Sequence, residues 1–382
     1  MIKRLLELTC FKHSLFLFGP RQVGKSYLIK NTLSPDLYIN LLVNEEYLRY
    51  SKNVSLLFAE IKKIKKEKML VVIDEIQKCP ELLNEVHHAL EDIRTVQFIL
   101  TGSSARKLRR AGVNLLGGRA ITLHLYPLTS VELGERFTID DALLYGTIPN
   151  IVLEDTVEDK RRLLKSYLET YLKEEIHDEA LTRNMPAFSR FLELAAFENG
   201  NLLNYQNIAR EVGVASRTIK EYFTILEDTL IGYFLYPYTK SHRQKLVAHP
   251  KFYFFDPGVI NALKNQLSSY FIPGSPPYGM AFEHFVMIEI ERMLSYHERE
   301  VKRSFFRTTD GAEVDLILEF ANELWAIEIK SSAAPQMKDL GGLKSFIKDH
   351  PYKRAICLCQ TPRPYVIDSI EFLNWRAFLQ EL

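Results

Sequence analysis

Short apolar runs at Leu15–Phe18, Leu37–Leu41, Met69–Ile73, Gln97–Thr101 and Ile121–Leu125 alternate with segments of helical periodicity over residues 1–125. Strands that are apolar throughout, rather than on every second position, suit a sheet covered on both faces, so this rhythm predicts an α/β domain with a buried parallel sheet. From about 126 to 265 the pattern turns mostly helical, with a long amphipathic stretch near Thr156–Leu181. The run Phe271-Ile-Pro-Gly-Ser-Pro-Pro277 can continue neither a helix nor a central strand and is read as a linker. Beyond it the pattern gives a helix at 281–297, then strands near 303–307, 313–320 and 324–330. A helix near 338–348 and a strand near 354–359 complete a further α/β unit. The expected organisation is therefore a core at 1–125, a short lid or linker at 126–155, a helical domain at 156–270 and an α/β domain at 278–382.

Bulk properties alter this picture little. A length of 382 residues suits two or three domains at roughly 150 residues each. A net charge of +1 excludes a protein-wide basic field, so any nucleic-acid contact needs a local patch. The lysines of Ile61–Lys68 read as the solvated end of a helix. Cys10, Cys79, Cys357 and Cys359 lie at no zinc spacing and read as reduced thiols. Lys3 and Arg4 precede apolar residues, but Glu7, Lys12 and His13 break the stretch, which excludes a signal peptide. No run reaches the ~18 apolar residues of a membrane span, and a cytoplasmic protein is expected.

The strongest chemistry follows the first strand. Gly19-Pro20-Arg21-Gln22-Val23-Gly24-Lys25-Ser26 fits G-x-x-x-x-G-K-[ST] at every fixed position, between a strand and an amphipathic helix. In such a loop backbone N–H groups wrap a β-phosphate at a helix N-terminus. Lys25 then reaches the β/γ oxygens, and Ser26 ligates Mg²⁺. Met69–Ile73 ends in Asp74-Glu75, which places one carboxylate to hold the Mg²⁺ shell and a second to polarise the attacking water. The pair of signals predicts ATP and Mg²⁺ as ligands. The strand Gln97–Thr101 ends beside the γ-phosphate position, where Thr101 or Ser103 could sense it or orient the water. Arg119, after Gly117-Gly118, is the candidate to reach a neighbouring subunit's γ-phosphate, with Arg106, Arg109 and Arg110 as rivals.

With these residues in place, the chain resembles the prokaryotic AAA+ (ASCE-class) ATPases. More narrowly, it is similar to ATP-binding proteins whose C-terminal part is a domain of unknown function related to restriction endonucleases. The likeness extends through Tyr126-Pro127-Leu128 with Glu132 and through Phe254-Phe255-Asp256-Pro257-Gly258. It implies a core sheet in 5-1-4-3-2 order and assembly into a homo-oligomer, a hexamer among the options. No second sensor arginine is evident around 129–155.

Two further segments bear on function. Ile208–Gly213 and Ser216–Phe223 read as helix, glycine turn and helix, with Ile208, Val212, Val214, Ile219 and Phe223 forming the shared core. Ser216, Arg217 and Lys220 remain on the outer face, as in a winged helix-turn-helix that reads a DNA groove. Lys240, His242, Arg243 and Lys245 would sit where a wing meets phosphates. In the last domain Glu313 and Asp315 share one strand face, and Glu328 and Lys330 share a face of the next strand. Glu283 lies on the helix face of Val286, Met287 and Ile290. Glu283, Asp315, Glu328 and Lys330 match the arrangement of PD-(D/E)xK nucleases, in which the acids hold metal and the lysine stabilises developing charge. A simple salt bridge from Lys330 to either acid fits the same residues. Two functions follow: an ATPase acting on DNA, with or without cleavage, and an ATP-gated switch or remodeller of protein partners.

Overall fold

The computed structural model describes residues 2–64, 66–110, 116–172, 184–239 and 249–382. They fall into two compact units. The first holds the described residues up to Leu128 together with Thr224–Ile231, and the second holds the remainder.

In the first unit, β1 (Ser14–Phe18), β2 (Leu37–Asn40), β3 (Met69–Asp74), β4 (Val96–Gly102) and β5 (Ala120–His124) form a sheet in the order β2-β3-β4-β1-β5. All four pairings are parallel, and the order is the one the resemblance implies. The apolar runs do what their composition requires: Phe16, Val71, Ile73, Phe98 and Leu100 pack into one core, while Leu15, Leu17, Val72 and Ile99 are buried as well. Because β1 and β3 flank β4 in parallel, their carboxyl ends share one edge. That edge receives the loop after β1, the two acids at the end of β3 and the threonine of β4, which is how open α/β sheets assemble ligand sites. The helices α1 (Lys25–Thr32) and α2 (Leu82–Asp92) bear on the site. The lysine-rich stretch is solvated as expected, with Lys62 paired to Asp92 and Lys66 to Asp36.

The second unit contains α3 (Tyr205–Val212), α4 (Ser216–Asp228, up to Phe223), β6 (Gly232–Pro237), β7 (Lys251–Phe254), α5 (Pro257–Leu263) and α6 (Pro276–Tyr296). Strands β8 (Lys302–Arg307), β9 (Glu313–Glu319), β10 (Leu324–Ile329), β11 (Arg354–Cys359), β12 (Tyr365–Ile367) and β13 (Ile370–Asn374) follow. Its eight strands form one sheet in the order β12-β13-β11-β10-β9-β8-β6-β7. Thus β6 and β7, from the middle of the chain, join the C-terminal strands through the pairing of Tyr236 and Pro237 with Ser304 and Phe305. Residues 271–277 lie inside this unit. The proline run that could not continue a helix instead starts one: Ser275 caps α6 by accepting from the Tyr278 N–H, and prolines occupy its first turn, where no N–H is needed.

Candidate functional site

The loop after β1 is shaped for close approach. A Cβ on Gly19 would stand 2.1 Å from the Leu125 carbonyl oxygen, and Gly24 caps α1 at φ 95, so neither position accepts a larger residue without strain. Lys25 is buried, and its Nζ donates to the carbonyls of Gly19 at 2.7 Å and Pro20 at 3.1 Å. The ammonium is therefore held along the loop's inner rim. Outside the motif, Arg4 donates to the Val23 carbonyl and to the Tyr126 carbonyl, each at 2.7 Å. It ties the N-terminal segment to the loop. Beside it, Ile2, Leu6, Leu8, Tyr27 and Leu28 help to line a cavity of about 320 Å³. Sequence reading missed this pocket; Leu6 and Leu8, apolar ahead of the first strand, were its only signal.

Across the edge, Asp74 accepts from the Tyr38 hydroxyl at 2.6 Å and from the Thr101 hydroxyl. Burial, and then the bond to Asp74, push the Tyr38 phenol well above its ordinary value, while a bond to Ser26 acts the other way. Tyr38 thus links the two residues expected to hold Mg²⁺, and the hard oxygen donors of Ser26 and Asp74 suit that ion. Thr101 also accepts the Glu75 N–H at 3.1 Å. One hydroxyl therefore contacts both acids. Glu75 is buried, sits at φ 63 and accepts from the Gln77 amide. Arg119, the finger candidate, is nearly half exposed and bonds to His87 at 2.7 Å and Glu91 at 3.0 Å on α2. Among its rivals, Arg106 and Arg109 pair with Asp228.

In the second unit, the turn after β9 pairs it antiparallel with β10, and the four expected residues do come into one neighbourhood. Asp315 accepts the Ile329 N–H at 2.8 Å, Lys330 binds Glu328 at 2.6 Å, and the Tyr253 hydroxyl donates to Glu283 at 3.2 Å. Burial, then the charge of Asp315, raises the carboxyls of Glu283 and Glu328. Burial raises Asp315 too, opposed by Lys330 and Lys251. For Lys330 the nearby acids outweigh burial and strengthen its hold on a proton. Lys251, from β7, was not foreseen. It is buried, pairs with Glu313 and helps line a cavity of about 150 Å³ with Tyr253, Glu283 and Arg307. Glu328 Oε2 is buried with no hydrogen-bond partner. Among the described residues no three His, Cys, Asp or Glu side chains are arranged to hold a metal ion. Within the cluster Lys330 pairs with Glu328, Lys251 pairs with the adjoining Glu313, and Asp315 accepts a backbone N–H.

Residues 12–134 match the family described as AAA domain. This segment is an AAA domain. Residues 136–269 match a domain of unknown function, DUF8612, and residues 278–378 match another, DUF4143. An uncharacterized protein of Mycobacterium tuberculosis is 25% identical over 270 residues, covering 70% of this chain; the match spans 60% of that relative's length. An uncharacterized protein of Haemophilus influenzae is 23% identical, covering 97% of this chain and 95% of the relative. Among solved structures, the Bacillus subtilis DNA clamp loader delta protein aligns at 12% identity and a TM-score of 0.24, over 56% of this chain and 84% of its own, a likeness too slight to carry an argument. The AAA match supports nucleotide binding and, in general, an ATPase activity. No helix among the described residues is long and apolar enough to cross a membrane.

Within the DUF8612 segment, Asn204 caps α3 and Gly213, at φ 79, ends it before α4. Ile208, Val212, Ile219 and Phe223 are buried, and Val214 is partly so. Arg217 is 90% exposed and bonded to Glu221, while Lys220 lies over the Tyr205 ring. Arg243, with Lys240, His242 and Lys245, lies outside the described residues. Glu132 closes a capping box with Thr129, and Asp256 accepts from the N–H groups of Thr147, Gly258 and Val259. Both motif acids are thus placed as structural caps.

Proposed function

We propose that the chain hydrolyses ATP at the AAA-domain edge and couples turnover to DNA binding or remodelling. The observation that carries the hydrolytic reading is the Thr101 hydroxyl, which joins Asp74 and Glu75 at the edge facing the phosphate loop. Lys25 would turn from the Gly19 and Pro20 carbonyls to the β/γ oxygens. Ser26 and Asp74 would hold Mg²⁺, whose chemistry is to neutralise charge on the phosphates. Glu75 would take the proton of the attacking water. Arg119 would leave Glu91 to serve a neighbouring copy in a homo-oligomer. The base would sit in the cavity beside Tyr27, whose ring offers a stacking face next to the loop.

DNA contact is assigned to the exposed Arg217 and Lys220 on α4, with Arg243 as a further contact. The DUF4143 domain is read as nuclease-like in ancestry. A second reading, an ATP-gated switch with a non-cleaving C-terminal domain, is favoured by one observation: Lys330, the candidate catalytic lysine, is already engaged with Glu328. The deciding assay is phosphate release by Glu75→Gln. Nucleotide affinity should persist while turnover falls by about 10²-fold or more, in the range of losing a general base; wild-type turnover in this variant would remove Glu75 as the base. Salt-sensitive DNA binding, or its absence, separates the two couplings.

A further inference from the structure

Glu75 has a neighbour that neither motif names. Gln77 is buried in the short helical turn after β3, and its Nε2 donates both to Glu75 Oε2 and, at 3.4 Å, to Ser103 Oγ. The carboxylate settles the amide's orientation, because only the NH₂ end can face an acceptor-only group. The other end is then left in an unusual state: Gln77 Oε1 is buried and has no hydrogen-bond partner. It lies against Gly102, where a Cβ would stand 2.6 Å from Oε1. A buried acceptor without a partner lowers stability, so packing alone would favour an apolar side chain of this shape. The site keeps a glutamine and a glycine that makes room for it. We infer that Gln77 is a positioning residue for ATP hydrolysis: it holds the Glu75 carboxylate in the orientation from which Glu75 accepts the water's proton. This rests on the proposed role of Glu75.

Glu75 itself stands in left-handed backbone at φ 63, so its side chain leaves the strand end at an angle that no ladder bond fixes. Thr101 fixes its N–H, and Gln77 fixes its carboxylate. Together they restrain both ends of one side chain, which is what a reacting group needs to meet its target without reorganising.

The test uses Gln77→Met, which keeps length and volume while removing both the donor and the unpartnered oxygen. The expected result is a fall in kcat of at least tenfold, with unchanged ATP affinity and an equal or higher Tm. Gly102→Ala, which crowds the amide, should lower kcat in the parent but add no further loss in the Gln77→Met background, since neighbours acting through one group are not additive. Wild-type or raised kcat in Gln77→Met overturns the inference, as does full additivity of the two substitutions. If Glu75→Gln is inactive and Gln77→Met is fully active, only the positioning role fails. If Glu75→Gln is itself fully active, the failure lies in the base assignment beneath it.

Discussion

Single side chains here act mostly by fixing other groups, and Thr101 is the clearest case. Its one hydroxyl donates to Asp74 and accepts from the Glu75 N–H. Thr101→Val preserves shape but leaves a buried carboxylate oxygen and a buried N–H short of a partner. Stability should fall by ~1–3 kcal/mol, and phosphate release should fall more than nucleotide affinity; a variant with parent-like kcat would contradict the arrangement. His284 gives a pH-dependent prediction. Burial pushes its imidazole down to about 4 from 6.5, and its Nε2 lies 2.7 Å from the Phe254 carbonyl. A depressed folded pKa means that its contribution is complete above 6.5 and is lost as pH falls through about 4. Asp256 runs the other way: burial raises it from 3.8 to about 6, so its contribution is present below 3.8 and is lost as pH rises through about 6. Melting curves between pH 7 and 5 should therefore show a smaller loss in His284→Asn than in the parent, and parallel curves would refute this. None of these roles was legible in sequence. The bonds from Thr101 to Asp74 and Glu75 were not foreseen, because these partners lie across strands that no local pattern connects. Lys251, which pairs with Glu313, was hidden for the same reason.

Elements were far easier to read. The core strands appear within a residue or so of the apolar runs, because a strand buried on both faces has no polar alternation to blur its ends. The two helices either side of Gly213 were legible through the glycine and the buried Ile208, Val212 and Ile219. Strand β12 was not: its three residues, Tyr365–Ile367, are too few to show a period. The proline run at 271–277 was read as an interruption, whereas Ser275 converts it into the start of α6. Two predictions belong to this scale. Asp315→Ala removes the acceptor of the Ile329 N–H that joins the ends of β9 and β10, and should lower stability by ~1–3 kcal/mol in a denaturant melt. On α4, Arg217→Glu with Lys220→Glu should weaken DNA binding and reduce its salt slope by ~1–2; an unchanged slope would remove α4 as the contact.

At the scale of the whole molecule, a net charge of +1 leaves no general attraction to polyanions, so every proposed nucleic-acid contact has to be local. The residues proposed for nucleotide turnover, Asp74, Glu75 and Thr101, meet at one sheet edge of the AAA domain. Calorimetry of ATP with Mg²⁺ against the intact chain tests this most directly, with Lys25→Ala as the comparison. The account predicts one nucleotide bound per chain, with the heat abolished by Lys25→Ala. No heat with the parent chain, or equal heat with both, would contradict it.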